Sequence, residues 1–62
     1  MPAHFRIYKV LADGALQFVQ SAPTLEDAKT RVQELGKHWP GEYLIENQET
    51  RARALINTKD KN

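Results

Sequence analysis

The dipeptide Asp13-Gly14 lies between two short runs rich in aromatic and β-branched residues, and no other feature of the sequence constrains the fold as strongly. Residues 5–11 and 15–20 have the composition of β-strands. A type I′ turn needs positive φ at both central positions, which aspartate and glycine tolerate. The sequence therefore predicts an antiparallel β-hairpin closed by a two-residue turn.

A single helix is predicted after this hairpin. Pro23 cannot donate a backbone hydrogen bond to a sheet, so it ends the second strand, and Thr24 has the side chain of a helix N-cap. Apolar residues then recur at helical spacing, at Leu25, Ala28, Val32 and Leu35. The segment Trp39-Pro40-Gly41 stops the helix, whose last residue is expected either near Gly36 or near His38.

A second hairpin is predicted after the helix. Residues 42–46 have strand composition, residues 47–50 that of a turn, and in residues 51–56 arginine and alanine alternate as in a strand. A short helix over residues 51–56 is the alternative, because arginine and alanine are good helix formers. The order ββαββ predicts an α+β fold, a four-stranded antiparallel sheet with one helix packed on one face. We expect one domain over residues 1–62, with an ordered core at about 4–57 and a frayed polar tail at 58–62.

Strand alternation predicts which side chains face the helix. The two-residue turn pairs Ala12 with Ala15, and the second hairpin is expected to pair Asn47 with Thr50. The resulting core consists of Phe5, Ile7, Leu11, Leu16, Phe18, Tyr43, Ile45, Ala52, Ala54 and Ile56 from the sheet, and Leu25, Ala28, Val32, Leu35 and Trp39 from the helix and its end.

The opposite side of the sheet is predicted to be unusually apolar. A solvated sheet face is normally polar, whereas here apolar residues alternate with charges, as they do on contact surfaces. One helix cannot cover both sides of a sheet, so we expect a second copy or another protein to cover this side. The residues predicted to bind the partner are Tyr8, Val10, Val19, Leu44, Arg51, Arg53 and Leu55. The ordinary alternative is that these residues are scattered over a surface without a role.

Composition narrows the possible functions. The chain has no cysteine, which excludes disulfides and thiolate metal sites. A domain of this size buries only about 60% of the surface that its unfolded chain exposes, so a homodimer is an expected source of stability. His4 and His38 have no further ligands at a plausible spacing, so we expect no metal and no cofactor. The sequence shows neither a membrane span nor a signal peptide, which predicts a cytoplasmic location.

No set of residues predicts catalysis. Ser21 is the only serine, and no histidine lies near it in the sequence. Glu42 and Glu46 share a strand face, but in the predicted register Glu46 opposes Arg51, which favours an ion pair over acid–base chemistry. The prediction is therefore a non-catalytic protein-interaction or assembly module that self-associates.

Nucleic-acid binding is the alternative function. Arg6, Arg51 and Arg53 are predicted to share a sheet face with Tyr8, and guanidinium groups beside an aromatic ring serve several single-strand binders. A formal net charge of +1 argues against this alternative, because proteins that bind phosphates usually have a clear basic excess.

The order of these signals resembles that of short bacterial ββαββ proteins of unknown function. The matching segments are Tyr8-Lys9-Val10, Asp13-Gly14, Leu25-Glu26-Asp27-Ala28-Lys29 and Pro40-Gly41-Glu42-Tyr43-Leu44-Ile45, and the similarity spans about residues 5–56. The resemblance implies a fold and no activity, ligand or catalytic residue. In one departure, Arg51 follows Thr50 where those proteins often have glycine, which affects the geometry of the last turn.

Overall fold

A computed structural model describes residues 4–58, which form four strands and one helix. The elements are β1 (Phe5–Val10), β2 (Leu16–Ala22), α1 (Leu25–His38), β3 (Glu42–Asn47) and β4 (Arg53–Asn57). Neighbouring strands are antiparallel in the order β2-β1-β3-β4, and α1 packs mainly over β1, β2 and β3. The predicted α+β fold with ββαββ order is confirmed, and the alternative of a short helix at residues 51–56 is wrong.

The first hairpin has a longer turn than the sequence predicted. The Leu11 N–H donates to the Ala15 carbonyl at 2.8 Å, and the Gly14 N–H donates to the Leu11 carbonyl at 2.9 Å. The loop therefore contains three residues, with Gly14 at a φ of 90°. The predicted pairing of Ala12 with Ala15 is wrong, and a slip of one residue moves every side chain of one strand to the other side of the sheet.

A β-bulge at Val19 corrects this slip halfway along β2. Tyr8 pairs with Phe18 while Ile7 pairs with Gln20, so Val19 is the extra residue. Val19 consequently packs against the core, whereas Phe18 lies on the opposite side of the sheet. The sequence predicts Phe18 in the core and Val19 on the opposite side of the sheet, and both predictions are wrong.

The core between sheet and helix is small. Among residues 4–58 its buried members are Ile7, Ala22, Ala28, Val32, Tyr43 and Ile45, and Phe5, Val19, Leu35 and Ile56 pack partly against them. Several residues predicted to lie in the core are exposed, namely Leu16, Phe18, Leu25, Trp39, Ala52 and Ala54. The first two are exposed because of the register, and the two alanines because α1 does not extend over β4.

Local signals define both ends of α1. The Thr24 hydroxyl oxygen accepts the Asp27 N–H at 3.0 Å, which confirms the predicted N-cap. The helix continues through Gly36 to His38, and the Trp39 N–H donates to the Leu35 carbonyl at 2.7 Å. The alternative end near Gly36 is therefore wrong.

The second hairpin also has a longer loop than predicted. The Asn47 N–H donates to the Ala52 carbonyl at 2.8 Å, so Asn47 pairs with Ala52 and not with Thr50. This shift of two residues leaves each side chain of Arg53–Asn57 on its predicted side of the sheet, because side chains alternate with a period of two. Arg51 lies in the loop with a φ of 66°, a conformation that favours glycine.

Thr58 joins the end of β4 to the start of β3. Its N–H donates to the Gly41 carbonyl at 2.8 Å, and its hydroxyl accepts the Gly41 N–H at 3.0 Å. The predicted frayed tail comprised residues 58–62, of which 59–62 lie outside the described residues. Thr58 itself is anchored next to the end of α1.

Candidate interaction face

The side of the sheet that faces away from α1 contains an extended apolar surface. We call it the helix-free face and define it by the residues Arg6, Tyr8, Val10, Leu16, Phe18, Ser21, Glu42, Leu44, Glu46, Arg53 and Leu55. Five of the residues predicted to bind a partner lie on it, namely Tyr8, Val10, Leu44, Arg53 and Leu55. Val19 lies on the helix side and Arg51 in a loop, so their predicted placement on this face is wrong.

An apolar row crosses all four strands of this face. The register aligns Phe18 with Tyr8, Tyr8 with Leu44, and Leu44 with Leu55. The Tyr8 and Phe18 rings meet edge to face, with their centroids 5.9 Å apart. Leu44, at the centre, is only 7% exposed, whereas Phe18 and Leu55 at the two edges are 53% and 64% exposed. The large apolar side chains that remain in water therefore lie at the two ends of the row.

Leu16 and Val10 extend this apolar surface on one side of the row. They pair with each other across β1 and β2, and Leu16 is exposed. Sequence reasoning missed Phe18 and Leu16 as members of this face, because the three-residue turn and the bulge at Val19 together determine the register of β2. The glycine at position 14 is compatible with either turn length, so the sequence does not distinguish them.

A charged row runs parallel to the apolar row. Ser21, Arg6, Glu46 and Arg53 are neighbours in that order across the four strands. The Arg53 Nε lies 3.6 Å from the Glu46 Oε2, and the Glu46 side chain is only 12% exposed. Glu46 therefore pairs with Arg53 and not with Arg51 as predicted. This ion pair restrains a largely buried carboxylate beside the apolar row.

Arg6, the other arginine next to Glu46 in the register, is held differently. Its guanidinium carbon lies 6.0 Å from the centroid of the Phe18 ring, a cation–π distance. Within residues 4–58 Arg6 forms no ion pair shorter than 4.0 Å. The charge of Arg6 is thus exposed at the surface and lies on the Phe18 ring. The neighbouring Glu46 carboxylate is already contacted by Arg53.

An open hollow at the end of the charged row is lined by His4 and Ser21, which are distant in sequence. Arg6, Phe18 and Gln48 also line it. No hydrogen bond joins His4 to Ser21 in the described part of the chain. A nucleophilic serine is activated by a base within hydrogen-bond reach, and this contact is not formed within residues 4–58.

Lys9 lies on the helix side of the sheet and is buried. Its ammonium group lies 5.0 Å from the centroid of the Trp39 ring and 5.7 Å from that of Tyr43, and it donates to the Val10 carbonyl at 3.1 Å. Burial raises the pKa of the Tyr43 hydroxyl, which donates to the Trp39 carbonyl. Lys9, Trp39 and Tyr43 thus close one end of the core, and none of them lies on the helix-free face.

Residues 4–58 contain no group of three or more histidine, aspartate or glutamate side chains arranged to hold a metal ion. Within the same residues α1 is the single helix, and it is too short and too polar to cross a membrane.

Comparison with protein-family models, with curated proteins and with solved structures gives no match.

Proposed function

We propose that the chain is a small non-catalytic assembly module that self-associates as a homodimer through the helix-free face. The observation that supports this most directly is the apolar row from Phe18 to Leu55, which ends in two large, exposed apolar side chains. Burial of apolar surface contributes about 25 cal/mol per Å² of favourable free energy. A second copy that covers this row therefore stabilises the dimer.

The second face of the sheet is the natural place for this contact because the first is already used. Helix α1 covers the side that contains Ile7, Tyr43 and Ile45, and the core that it forms is small. A domain of this size has a thin margin of stability, and association adds buried area without enlarging the chain.

A second copy fits the face better than a strongly charged partner does. The charged row contains both signs, with Glu46 between Arg6 and Arg53, and the formal net charge of the chain is only +1. A surface with both signs can be complementary to itself, since a two-fold axis brings the same patch of both copies together.

Sedimentation equilibrium of Leu55→Glu and Ala54→Glu tests the proposal. The two residues are neighbours on β4 and both are exposed, but Leu55 lies on the helix-free face and Ala54 on the other side. We expect Leu55→Glu to weaken dimerisation at least about tenfold, because it buries an unpaired charge, and Ala54→Glu to leave it unchanged. A wild-type chain that stays monomeric at millimolar concentration, or equal effects of both variants, would contradict the proposal.

Nucleic-acid binding is the second candidate, because Arg6 and Arg53 share the helix-free face with the Tyr8 and Phe18 rings. Two observations weaken it: Arg51 lies in a loop, and Glu46 stands between the two arginines. This function predicts salt-dependent binding of a single-stranded oligonucleotide that falls when Arg6 and Arg53 become alanine. Fluorescence anisotropy at low salt is the measurement, and the assembly proposal predicts no binding.

A further inference from the structure

We infer that two copies pack helix-free face to helix-free face about a two-fold axis that runs parallel to the strands between β1 and β3. In this arrangement Arg6 of each copy faces Glu46 of the other. The inference rests on the proposed self-association, and it adds the orientation of the second copy and the charges that select it.

The symmetric order of the sheet makes such an axis possible. Strands β1 and β3 are central, and β2 and β4 form the edges. Rotation about an axis between the central strands places β1 over β3 of the partner and β2 over the partner's β4. The strands of the two sheets stay aligned, as they do in face-to-face packing, where the sheets differ by about 30°.

The charged row becomes self-complementary under this rotation. Arg6 and Glu46 are cross-strand neighbours in one chain, so the rotation places each over the other residue of the partner. Arg6 forms no ion pair within residues 4–58, and Glu46 is contacted by Arg53 at 3.6 Å. The dimer therefore gains two reciprocal Arg6–Glu46 ion pairs, in which Arg6 acquires a carboxylate partner and Glu46 acquires a second arginine.

The apolar row is complementary under the same rotation. Phe18 lies over the partner's Leu55, and Tyr8 lies over the partner's Leu44, because these residues occupy mirror positions in the row. The two most exposed apolar side chains of the row, Phe18 and Leu55, thus cover each other. A large aromatic ring meets an aliphatic side chain at both ends of the interface.

A two-fold axis perpendicular to the strands is the other way to pack the sheets with aligned strands, and the charges oppose it. Where that axis crosses the apolar row, it places the charged row over the partner's row of Leu16, Val10, Glu42 and Asn57. Either axis places one charged residue over the partner's Val10, but only this axis also places Glu46 over the partner's Glu42 with like charge. Like charges brought together at an interface are strongly unfavourable, so the axis parallel to the strands is selected.

A charge-exchange experiment tests the inference. In chains with Arg6→Glu alone, glutamate faces glutamate across the interface, and in chains with Glu46→Arg alone, arginine faces arginine. A mixture of the two variants restores both opposite-charge pairs. We expect each variant alone to dimerise at least about tenfold more weakly than the wild type, and the mixture to form a heterodimer with nearly wild-type Kd.

The outcomes separate this inference from the proposed function. Sedimentation equilibrium that shows a wild-type dimer, together with a mixture no tighter than its components, would overturn the axis and leave self-association standing. A monomeric wild-type chain would remove both. Circular dichroism of each variant checks that it folds.

Cross-linking provides a second measurement that changes no charge. The chain has no cysteine, so Phe18→Cys and Leu55→Cys each introduce one thiol. Packed sheets lie about 10 Å apart, beyond the reach of a disulfide, and a short bis-maleimide reagent spans that distance. We expect a mixture of the two variants to cross-link and neither variant to cross-link to itself. Efficient self-linking of Phe18→Cys would contradict the inferred axis.

Discussion

Arg51 occupies a left-handed backbone conformation, with a φ of 66°, in the loop between β3 and β4. Within residues 4–58 it is the only residue other than glycine with positive φ. This conformation places the Cβ of an L-residue close to its own carbonyl oxygen, at a cost of roughly 1–2 kcal/mol. Glycine is therefore the residue that this backbone position favours.

Replacing Arg51 with glycine is expected to stabilise the fold. Glycine adopts positive φ without strain but loses more backbone entropy on folding, so we expect a net gain of up to about 1 kcal/mol in the free energy of unfolding. Urea denaturation measures it. Arg53→Gly is the control: Arg53 lies in extended β4 and contacts Glu46, so this variant is expected to be destabilised. An Arg51→Gly chain no more stable than the wild type would contradict the account.

The raised pKa of Tyr43 predicts how the free energy of unfolding depends on pH in alkaline solution. Burial raises the pKa of its hydroxyl above the ordinary 10.0. The unfolded chain then releases this proton at a lower pH than the folded chain does. The contribution of Tyr43 to the free energy of unfolding is constant well below pH 10 and falls as the pH rises above 10.

Thermal unfolding of Tyr43→Phe and Tyr8→Phe across this pH range checks the prediction. Tyr43→Phe is expected to lose stability at neutral pH, because the hydrogen bond to the Trp39 carbonyl is gone, but to depend less on pH above 10 than the wild type does. Tyr8→Phe retains Tyr43 and its dependence on pH. Identical pH profiles for all three chains would contradict the assignment.

At the scale of the elements, the helix was predictable and the turns were not. The Thr24 cap and the apolar stripe of α1 are local signals, and the structure places the cap and three of the four stripe residues as expected, with Leu25 exposed. A hairpin register depends instead on turn length, and Asp13-Gly14 fits both a two-residue and a three-residue loop. The sequence offered no signal for the bulge at Val19, because a bulge is set by pairing with another strand.

In both hairpins the observed register differs from the predicted one, but the consequences differ. A shift by an odd number of residues moves side chains to the other side of the sheet, and a shift by an even number does not. In the first hairpin the slip of one residue moved Leu16 and Phe18 from the predicted core to the helix-free face. In the second hairpin the shift of two residues left Leu44 and Leu55 on the predicted side. The candidate face was therefore foreseen as apolar, although its membership changed.

Contact between α1 and Thr58, the residue after β4, predicts an unusual effect of substitution at Gly36. Glycine to alanine inside a helix normally stabilises by about 1 kcal/mol. Here an added Cβ would overlap the side chain of Thr58, which is held by its hydrogen bonds to Gly41. We expect Gly36→Ala to destabilise the fold by about 1 kcal/mol or more in urea denaturation.

A double-mutant cycle isolates this contact. In a Thr58→Gly background the obstructing side chain is absent, so Gly36→Ala should become neutral or stabilising there. A stabilising effect of Gly36→Ala in the otherwise wild-type chain would show that Thr58 does not pack against the helix.

At the scale of the whole molecule, the single helix within residues 4–58 covers one side of the four-stranded sheet and leaves the other side without a helix. The covered side contains the small core around Ile7, Val32 and Tyr43, and the uncovered side contains the apolar row. An apolar surface of this kind, bordered by charges, is typical of contact sites. This uncovered apolar surface is the structural basis of the proposed self-association.

Side-chain NMR spectra recorded on dilution test this central claim most directly. We expect the Leu44 and Leu55 methyl signals and the Tyr8 and Phe18 ring signals to shift with concentration, because a second copy covers them. The signals of Ala28 and Val32, buried beneath α1, should stay constant. Spectra that do not change with concentration, or shifts confined to α1, would contradict the claim that the helix-free face binds a second copy.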